Sequence, residues 1–471
     1  MEEYRSESSR SVNPRRRKPT KAQIIKEKYL PLIILALAAL VILITVIGSI
    51  TRAIQRNQLA KEIAQAAAEE EARLNMEASD IQTRAEIMVR NYDYAGAIDL
   101  INSFSGSLTD YPELSGMLAE YQSALDLMVP WEDPNSIMNL SFNMLMADPA
   151  RAFANEEYGS AFKKNYLTLT EFSNILDQLY ANDYILVRPE DFVTTQFNDD
   201  GSIVYTAAPI YLPANKKPVI LTQTNVNYDA YLIDGDGDGR ADANGSGFAS
   251  KLIIDSTGYI QCEYVDASGQ TLYGAYDAIP ILDAFVEVHP DFSYKGAKAV
   301  IAVSGHEGVF GYRTNAEAEA TLGVDEYNAQ VAQATEVADM LRANGYELAC
   351  YTYENTAYGN MSLEEIQQDI GLWTSEVLPI IGESNTIVFA QNSDLSDGLI
   401  YMGDKHNTLQ QAGFIYYLGF CTDGQPWTII VDDYVRQGRV LVNGTNLYNN
   451  AEWFTNLFDA ASVIDTAARG D

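Results

Sequence analysis

The chain has 471 residues, and its 65 acidic against 31 basic side chains give a formal net charge of −34 at pH 7. The first 28 residues hold nine of the basic and four of the acidic residues, so the remainder carries about −39. That charge excludes nucleic acid and other long polyanions as favoured partners. Solubility alone explains it as well as attraction of cationic partners or divalent ions does. Three cysteines are too few for a disulfide framework or a zinc motif, and the apolar contexts of Cys262 and Cys350 predict buried free thiols.

Residues 30–50 form an uncharged, apolar run of 21 residues near the start of the chain. As a helix the run spans roughly 30 Å, the thickness of the hydrocarbon core of a bilayer. A cleavable signal peptide fits less well, because the run is long and no small-x-small pattern follows it. We therefore predict a transmembrane helix over residues 29–51.

The basic residues on either side of the apolar run predict its orientation. Nine of them lie in the predicted tail, residues 1–28, and three (Arg52, Arg56 and Lys61) follow the span closely. This asymmetry predicts a cytoplasmic tail and an extracellular remainder. The tail favours the anionic inner leaflet, with nucleic-acid binding as the weaker alternative.

Residues 52–129 have a helical composition. The segment 59–90 is rich in Ala, Glu, Gln and Arg and contains neither Gly nor Pro. The sequence from Tyr92 to Ile98 is similar to the bend of a tetratricopeptide-like helix pair, and a further helix is predicted from Tyr111 to about Leu127. One such unit is too short for a solenoid. The pattern predicts a helical stalk, with a small peptide-binding hairpin as the minor alternative. In one hypothesis the stalk recruits a protein partner and the barrel is only a spacer.

A linker with Pro130, Trp131 and Pro134 precedes a large domain, residues 130–471. Thr170 is a candidate N-cap for the helix that follows it. Apolar strands then alternate with amphipathic helices, which indicates parallel strands joined by helical crossovers. The predicted strands are 218–221, 299–303, 347–350, 386–390, 414–418, 428–431 and 440–442, and the predicted helices are 324–344, 362–380 and 450–464.

Two of these strands end in short segments that carry a family resemblance, Leu221-Thr222-Gln223-Thr224-Asn225 and Tyr351-Thr352-Tyr353-Glu354-Asn355. Together with the stretches 139–153, 184–187 and 279–314, they resemble the membrane-anchored branch of the bacterial polysaccharide deacetylases. The resemblance covers roughly residues 137–465. It implies an α/β fold, a deformed parallel (β/α) barrel with its site at the carboxyl ends of the strands.

In that family the two segments read Thr-Phe-Asp-Asp and His-Ser/Thr-x-x-His, and one Asp and two His hold a divalent metal, often zinc, that activates water. The other Asp is the general base, and a His near the chain end protonates the leaving amine. Carried over by position, Thr224 replaces the base and Asn225 the metal-binding Asp. Tyr351 and Asn355 replace the two His. Asn225 offers a neutral oxygen where the metal needs an anionic ligand, and a neutral Tyr is a poor zinc ligand, so zinc is not expected. The sequence also contains no Leu-x-His near its end and no Pro-rich motif after residues 386–390.

Three histidines remain in the chain, His289, His306 and His406. His306 follows a predicted barrel strand, and with Glu307 it could form an acid–base pair or half of a metal site. A loop residue satisfied by its neighbours is the better-supported interpretation. His289 is expected to be a scaffold or surface residue and His406 an exposed loop residue.

The segment 234–242 is Asp-Gly-Asp-Gly-Asp-Gly-Arg-Ala-Asp, which has the spacing of a calcium-binding loop. Its ligands would be the carboxylates of Asp234, Asp236, Asp238 and Asp242 and the Arg240 carbonyl. The Glu at the twelfth position of an EF-hand is missing, because Gly245 stands there. A weak, structural Ca²⁺ site and an acidic surface loop are equally supported.

Three functions follow from these observations. The first is a pseudoenzyme that binds a cell-wall polysaccharide, peptidoglycan or another glycan without cleaving it. The second is a working hydrolase with a rebuilt site, drawing on His306, Glu307, Glu354, Asp394 or Asp397. The third is a scaffold that acts through the stalk. The replaced motifs favour the first.

Overall fold

The computed structural model describes residues 20–395 and 400–470, and the chain divides after Asp80 into two units. In the first unit, helix α1 (Lys21–Lys28) is followed by helix α2, which begins at Leu30 and ends at Arg90 in the second unit. This helix is long and apolar enough to cross a membrane. Its large apolar side chains between Leu30 and Ile54 are exposed. Most of the predicted basic tail, residues 1–19, lies outside the described residues.

The second unit contains the remaining helices and all the described strands. The helices are α3 (Tyr94–Asn102), α4 (Pro112–Leu125), α5 (Pro149–Ala154), α6 (Gly159–Asn165), α7 (Leu169–Ala181), α8 (Ala230–Ile233), α9 (Ala278–Val288), α10 (Ala316–Leu322), α11 (Val324–Ala343), α12 (Leu363–Leu372), α13 (Leu378–Ile381), α14 (Asp404–Gln411), α15 (Gly444–Asn449), α16 (Ala460–Val463) and α17 (Thr466–Arg469). The strands are β1 (Val129–Trp131), β2 (Met138–Phe142), β3 (Tyr184–Leu186), β4 (Val193–Phe197), β5 (Ile203–Ala207), β6 (Ile210–Leu212), β7 (Lys217–Thr224), β8 (Lys251–Ile254), β9 (Ile260–Val265), β10 (Thr271–Gly274), β11 (Ala299–Val303), β12 (Glu347–Cys350), β13 (Thr386–Val388), β14 (Tyr416–Phe420), β15 (Thr428–Val431) and β16 (Tyr434–Leu441).

Seven parallel strands close into a barrel. Going round it, the order is β7, β11, β12, β13, β14, β16 and β2, and β2 pairs again with β7. Strand β3 pairs with the first residues of β7, and β11 pairs with the last ones. The predicted fold class, a parallel α/β barrel preceded by a long apolar helix, is confirmed.

Alternate residues of the barrel strands belong to two separate apolar clusters. Ile220, Val300, Ala349, Val388 and Leu418 form part of the inner cluster. Their neighbours along the strands, among them Leu221, Ile301, Leu348, Ile387 and Tyr417, belong to the larger cluster that includes the helices. This is the alternation that a closed barrel imposes on its strands, since successive side chains point to opposite faces.

A chain of buried polar side chains crosses the barrel interior. Thr222 Oγ1 donates to Asn139 Oδ1 over 2.8 Å, and Asn139 Nδ2 donates to Gln437 Oε1 over 3.0 Å. These residues come from three adjacent strands, β7, β2 and β16. Buried polar groups that satisfy one another fix the relative positions of the strands that carry them.

Four local predictions are wrong. The strand predicted over residues 428–431 exists, but it pairs antiparallel with β16, because it forms a hairpin with that strand. The helix predicted over 450–464 is broken into short pieces. Thr168 and not Thr170 caps α7, since its hydroxyl accepts from Glu171 N while the Glu171 carboxylate accepts from Thr168 N. His406 is buried in α14 against Tyr401, Tyr417 and Tyr434, not exposed in a loop.

The predicted state of the cysteines is confirmed. Cys262, Cys350 and Cys421 are all free and buried. Burial raises the pKa of the Cys350 thiol well above its usual range, and the Asp369 carboxylate adds to the shift. A protonated thiol in an apolar setting packs as a small apolar side chain.

Candidate functional site

A cavity of about 360 Å³ lies at the carboxyl ends of the barrel strands. The four positions that the family resemblance singled out, Thr224, Asn225, Tyr351 and Asn355, all line it. They come together because β7 and β12 end at the same rim of the barrel, where sites of such folds lie. A larger cavity of about 580 Å³ is lined by residues such as Arg188 and Glu347 at the opposite ends of the strands. We place the candidate site in the smaller cavity, because the loops after the strands converge there.

The loops around the smaller cavity contain several residues with left-handed backbone. The φ angles are 59° at Asn225, 59° at Thr352, 52° at Asn355, 51° at Gln391 and 53° at Asn392. A β-branched residue such as Thr352 adopts this conformation rarely. Asn adopts this conformation readily, so the strain is carried mainly by Thr352 and Gln391, at about 1–3 kcal/mol each.

Hydroxyl groups stand at the two positions that the sequence resemblance assigned to the base and to the first histidine. Thr224 is buried, and its Oγ1 donates to Asn143 Oδ1 over 2.9 Å. Tyr351 is also buried, and burial raises its pKa although the Arg439 charge and the Thr224 hydroxyl oppose the shift. Tyr351 is therefore a neutral phenol near neutral pH, which donates or accepts a hydrogen bond and does not act as a base.

Two buried amide oxygens of the cavity lack a hydrogen-bond partner among the described residues. They are Asn225 Oδ1 and Asn355 Oδ1. The nitrogen of Asn225 is satisfied, since Nδ2 donates to Asp229 Oδ2 over 3.0 Å. The main-chain carbonyl of Asn355 accepts from Gln391 Nε2 over 2.7 Å. A buried acceptor without a partner is costly, so each free oxygen suits a ligand that brings a hydroxyl or amide N–H.

The residues that the sequence resemblance assigned to metal binding do not fit zinc. They offer two neutral amide oxygens and a neutral phenol, whereas Zn²⁺ prefers thiolate, imidazole or carboxylate ligands. Within residues 20–395 and 400–470, three His, Cys, Asp or Glu side chains close enough to share a metal occur in the acidic loop and not in this cavity. We therefore derive no metal-dependent step.

Sequence reasoning missed Arg439, which enters the cavity from β16. Its Nη1 donates to Ser141 Oγ over 2.7 Å and its Nη2 to the Phe389 carbonyl over 2.8 Å. The guanidinium also lies 4.5 Å from the centre of the Phe420 ring. Gln437 and Arg439 lie two residues apart in β16 and so share one face of the strand, and polar side chains at this spacing just before the predicted strand 440–442 are the signal that could have revealed Arg439.

Asn443 and Asp229 were also missed. Asn443 lines the cavity two residues after the end of β16. Asp229 stands behind Asn225, and burial raises its pKa although the hydrogen bond from Asn225 lowers it. Both lie in the loop that follows a barrel strand, and a polar residue in that position is the signal that could have revealed them.

His306 and Glu307 have different partners. His306 Nδ1 lies 2.8 Å from Glu354 Oε2, and both side chains are about half exposed. Glu307 Oε2 lies 3.2 Å from Arg313 Nη1 and accepts from the backbone N–H of Ala230. The two residues do not contact each other through their side chains in an acid–base pair. Neither of them lines the cavity.

Asp394 was also considered for a rebuilt hydrolase site, and it has an ion-pair partner of its own. Asp394 Oδ2 lies 2.6 Å from Arg436 Nη2 in an ion pair that is mostly buried. Asp397 lies outside the described residues. His289 packs against Tyr180 and Phe285, as a scaffold residue does.

The acidic loop brings part of its candidate ligand set together. One carboxylate oxygen each of Asp234, Asp236 and Asp242 lies within 4.8 Å of the others. Asp238 is not in this group, and its Oδ1 accepts from Arg240 N over 2.9 Å. Asp234 Oδ1 accepts from the backbone N–H of Asp236 and Gly237, so backbone donors hold the turn.

Comparison with known proteins gives little to add to this geometry. No family model and no curated protein matches the chain. A solved structure, the Streptococcus pyogenes deacetylase PplD in complex with acetate, is similar at 10% identity and a TM-score of 0.33, over 68% of this chain and 95% of that one. The barrel is established by the pairing of its own strands.

Proposed function

We propose that the chain is a membrane-anchored, deacetylase-like protein that binds a cell-wall polysaccharide or peptidoglycan and does not hydrolyse it. One observation carries the proposal. The four positions that would hold catalytic groups in polysaccharide deacetylases line one cavity, and they hold Thr224, Asn225, Tyr351 and Asn355. The scaffold of such a site is present, and its reactive groups are replaced by neutral hydrogen-bonding groups.

Hydrolysis of an acetamide needs a base to activate water and an acid to protonate the leaving amine. The hydroxyl of Thr224 does not take up a proton near neutral pH. Tyr351 stays neutral because burial raises its pKa. Asp229 touches the cavity residue Asn225 but does not line the cavity itself. The proposal therefore assigns binding and no bond cleavage to this site.

The cavity walls favour a sugar over other small ligands. Planar amides line it at several positions, including Asn143, Asn225, Asn355 and Asn443, and amides match the paired hydroxyls of a sugar ring. Aromatic rings stand among them, and Tyr166 and Tyr231 are joined through their hydroxyl oxygens at 3.0 Å. Aromatic faces next to polar groups offer stacking on the apolar side of a sugar.

The anchor and its orientation belong to the same proposal. Helix α2 is long and apolar enough to span a bilayer. The exposed apolar side chains near its start favour contact with lipid over contact with water. Basic residues are concentrated before the apolar run, which favours a cytoplasmic start and a barrel outside the cell. A barrel outside the cell lies in the same compartment as the wall glycans.

A sedimentation assay with insoluble wall material tests the proposal. We expect the full chain in lipid nanodiscs to pellet with purified peptidoglycan or wall polysaccharide. Asn392 is exposed at the rim of the cavity, so N392W should fill the opening and weaken binding about tenfold or more. N102W adds the same bulk at the exposed end of α3, away from the cavity, and should bind as the unchanged chain does.

Two results would count against the proposal. Equal pelleting of N392W and N102W would place any glycan contact elsewhere on the molecule. Release of acetate from an acetylated glycan in the presence of added zinc would mean that a working hydrolase site has been rebuilt. Zinc titration of the full chain in nanodiscs belongs beside that assay, since metal-dependent hydrolysis requires tight, stoichiometric binding.

A further inference from the structure

Arg439 is the one charged side chain among the residues that line the cavity in the described part of the chain. The chain as a whole has 65 acidic residues, yet neither Asp nor Glu is among those lining residues. A cavity built for neutral sugar hydroxyls alone has no need of a permanent cation. The charge calls for its own explanation.

The other buried arginines of the described residues each have a carboxylate partner. Arg436 is 5% exposed and pairs with Asp394, and Arg469 is 3% exposed and pairs with Glu171. Arg439 is 1% exposed, and no carboxylate lies within ion-pair distance of it in residues 20–395 or 400–470. Asp394 acts on it only from farther away. A buried cation without a counter-ion is costly.

The guanidinium of Arg439 keeps two N–H groups for a ligand. It has five in total. One on each nitrogen is donated to a neutral oxygen: Nε to the Leu418 carbonyl, Nη1 to Ser141 Oγ and Nη2 to the Phe389 carbonyl. The second N–H on Nη1 and the second on Nη2 have no hydrogen-bond partner among the described residues and form the free edge of Arg439. Two N–H groups of one guanidinium can bind an oxyanion in a bidentate manner.

We infer that the glycan bound in this cavity carries an oxyanion, a carboxylate or a phosphate on a sugar, that pairs with the free edge of Arg439. The inference rests on the proposed function, since it names the class of glycan that the same cavity takes. Burial lowers the pKa of Arg439 to about 10, so the side chain remains charged at neutral pH. The net negative charge of the chain opposes long polyanions, and one guanidinium selects one anionic group at short range.

The test compares three sugars of similar size, D-glucuronate, D-glucose 6-phosphate and D-glucose. Their dissociation constants are measured by saturation-transfer NMR on the full chain in lipid nanodiscs at constant ionic strength, with empty nanodiscs subtracted. We expect at least one anionic sugar to bind about tenfold more tightly than glucose. The two anionic sugars separate a carboxylate ligand from a phosphate ligand.

Two variants assign the preference to Arg439. R439Q removes the charge, and S141D places a carboxylate where Arg439 Nη1 has its contact of 2.7 Å. In both variants the ratio of the dissociation constant of glucose to that of the anionic sugar should fall to about one. S141D supplies an internal counter-ion, so it keeps the test valid if R439Q fails to fold, and its thermal midpoint should equal or exceed that of the unchanged chain.

Each remaining outcome decides a separate point. Equal binding of all three sugars would overturn the anionic ligand and leave glycan binding in place. A preference that survives both R439Q and S141D would overturn the role of Arg439. If none of the three sugars binds, and wall glycan also fails to pellet the chain, the proposed function falls together with the inference.

Discussion

Asn225 donates its side-chain N–H to Asp229 across 3.0 Å, and both side chains are buried. This amide stands where the family resemblance places a metal-binding carboxylate. A carboxylate at residue 225 would face Asp229 as a like charge, and two acids at hydrogen-bond distance do not both ionise without a cation between them. The amide therefore allows the buried Asp229 to exist at this site without a metal.

The substitution N225D tests that relationship. It removes the N–H donor and adds a second buried carboxyl, so we expect a loss of about 2–4 kcal/mol of unfolding free energy near neutral pH. In N225D the two carboxyl groups at residues 225 and 229 take up a proton at a higher pH in the folded state than in the unfolded state. Stability should therefore recover as the pH falls and be lost as it rises. Urea unfolding followed by tryptophan fluorescence measures both effects.

The double variant N225D/D229N is the matched control. It exchanges the amide and the carboxyl and so restores one hydrogen bond and one charge. Its urea midpoint should lie close to that of the unchanged chain. A single variant as stable as the unchanged chain, or a double variant less stable than the single one, would contradict the account of this pair.

Much of the barrel is predictable from the sequence, because its strands are apolar and its crossovers are long amphipathic helices. The strand bounds at Ala299–Val303 and Glu347–Cys350 agree with the prediction to the residue. The small antiparallel sheet of β8, β9 and β10 was not predicted. Its strands are short and half buried, as in Lys251–Ile254, and local patterns of that length do not separate a strand from a loop.

The candidate site is predictable only where a motif marks it. Thr224, Asn225, Tyr351 and Asn355 were located because their segments keep the family spacing, and they do line one cavity. Arg439 was missed since its role depends on partners far away in the chain, such as Ser141. His406 was misplaced because its burial depends on three tyrosines from β14, β16 and the preceding loop, which sequence alone does not bring together.

Asp277 links several elements below the site, and its titration should be visible in the stability of the protein. The Asp277 carboxylate accepts from Leu145 N, Gln223 Nε2 and Tyr228 Oη, at 2.8–2.9 Å. Burial raises its pKa to about 6, although these donors lower it. A raised folded-state pKa contributes stability that is complete below about pH 4 and is lost as the pH rises through about 6.

The variant D277N removes this titration. Gln223 Oε1 has no hydrogen-bond partner among the described residues, so a rotated Gln223 amide can accept from the amide group that D277N introduces. We expect the difference in urea midpoint between D277N and the unchanged chain to shift in favour of D277N between about pH 4 and pH 6. D199N, at the exposed tip of the β4–β5 hairpin, should leave the profile unchanged. Parallel profiles for D277N and the unchanged chain would refute the assignment.

A buried ion pair fixes the last helix to the rest of the barrel unit. Arg469 in α17 forms a bidentate contact with Glu171 at the start of α7, with Nη2 2.7 Å from Oε2, and both side chains are buried. We expect R469M to cost about 3–5 kcal/mol, because it leaves a buried carboxylate without its cation. R469M/E171M should lose much less, and thermal unfolding measures both. If R469M and R469M/E171M lose the same unfolding free energy, the loss comes from side-chain packing and not from the unpaired charge.

The acidic loop allows a test of its own. Asp234, Asp236 and Asp242 bring carboxylate oxygens within 4.8 Å of one another, and backbone N–H groups of Gly235 and Asn244 already hold Asp242 Oδ1 in place. If the loop binds Ca²⁺ weakly, with a dissociation constant of about 1 mM, then about 10 mM Ca²⁺ should stabilise the protein by about 1–2 kcal/mol.

D242N should abolish the gain in thermal midpoint, whereas D255N, in a separate turn, should keep it. Mg²⁺ at the same concentration is the control for ionic strength, because it requires near-ideal octahedral geometry and is expected to bind this open loop poorly. The same gain with both ions, or with D242N, would leave the segment as an acidic surface turn.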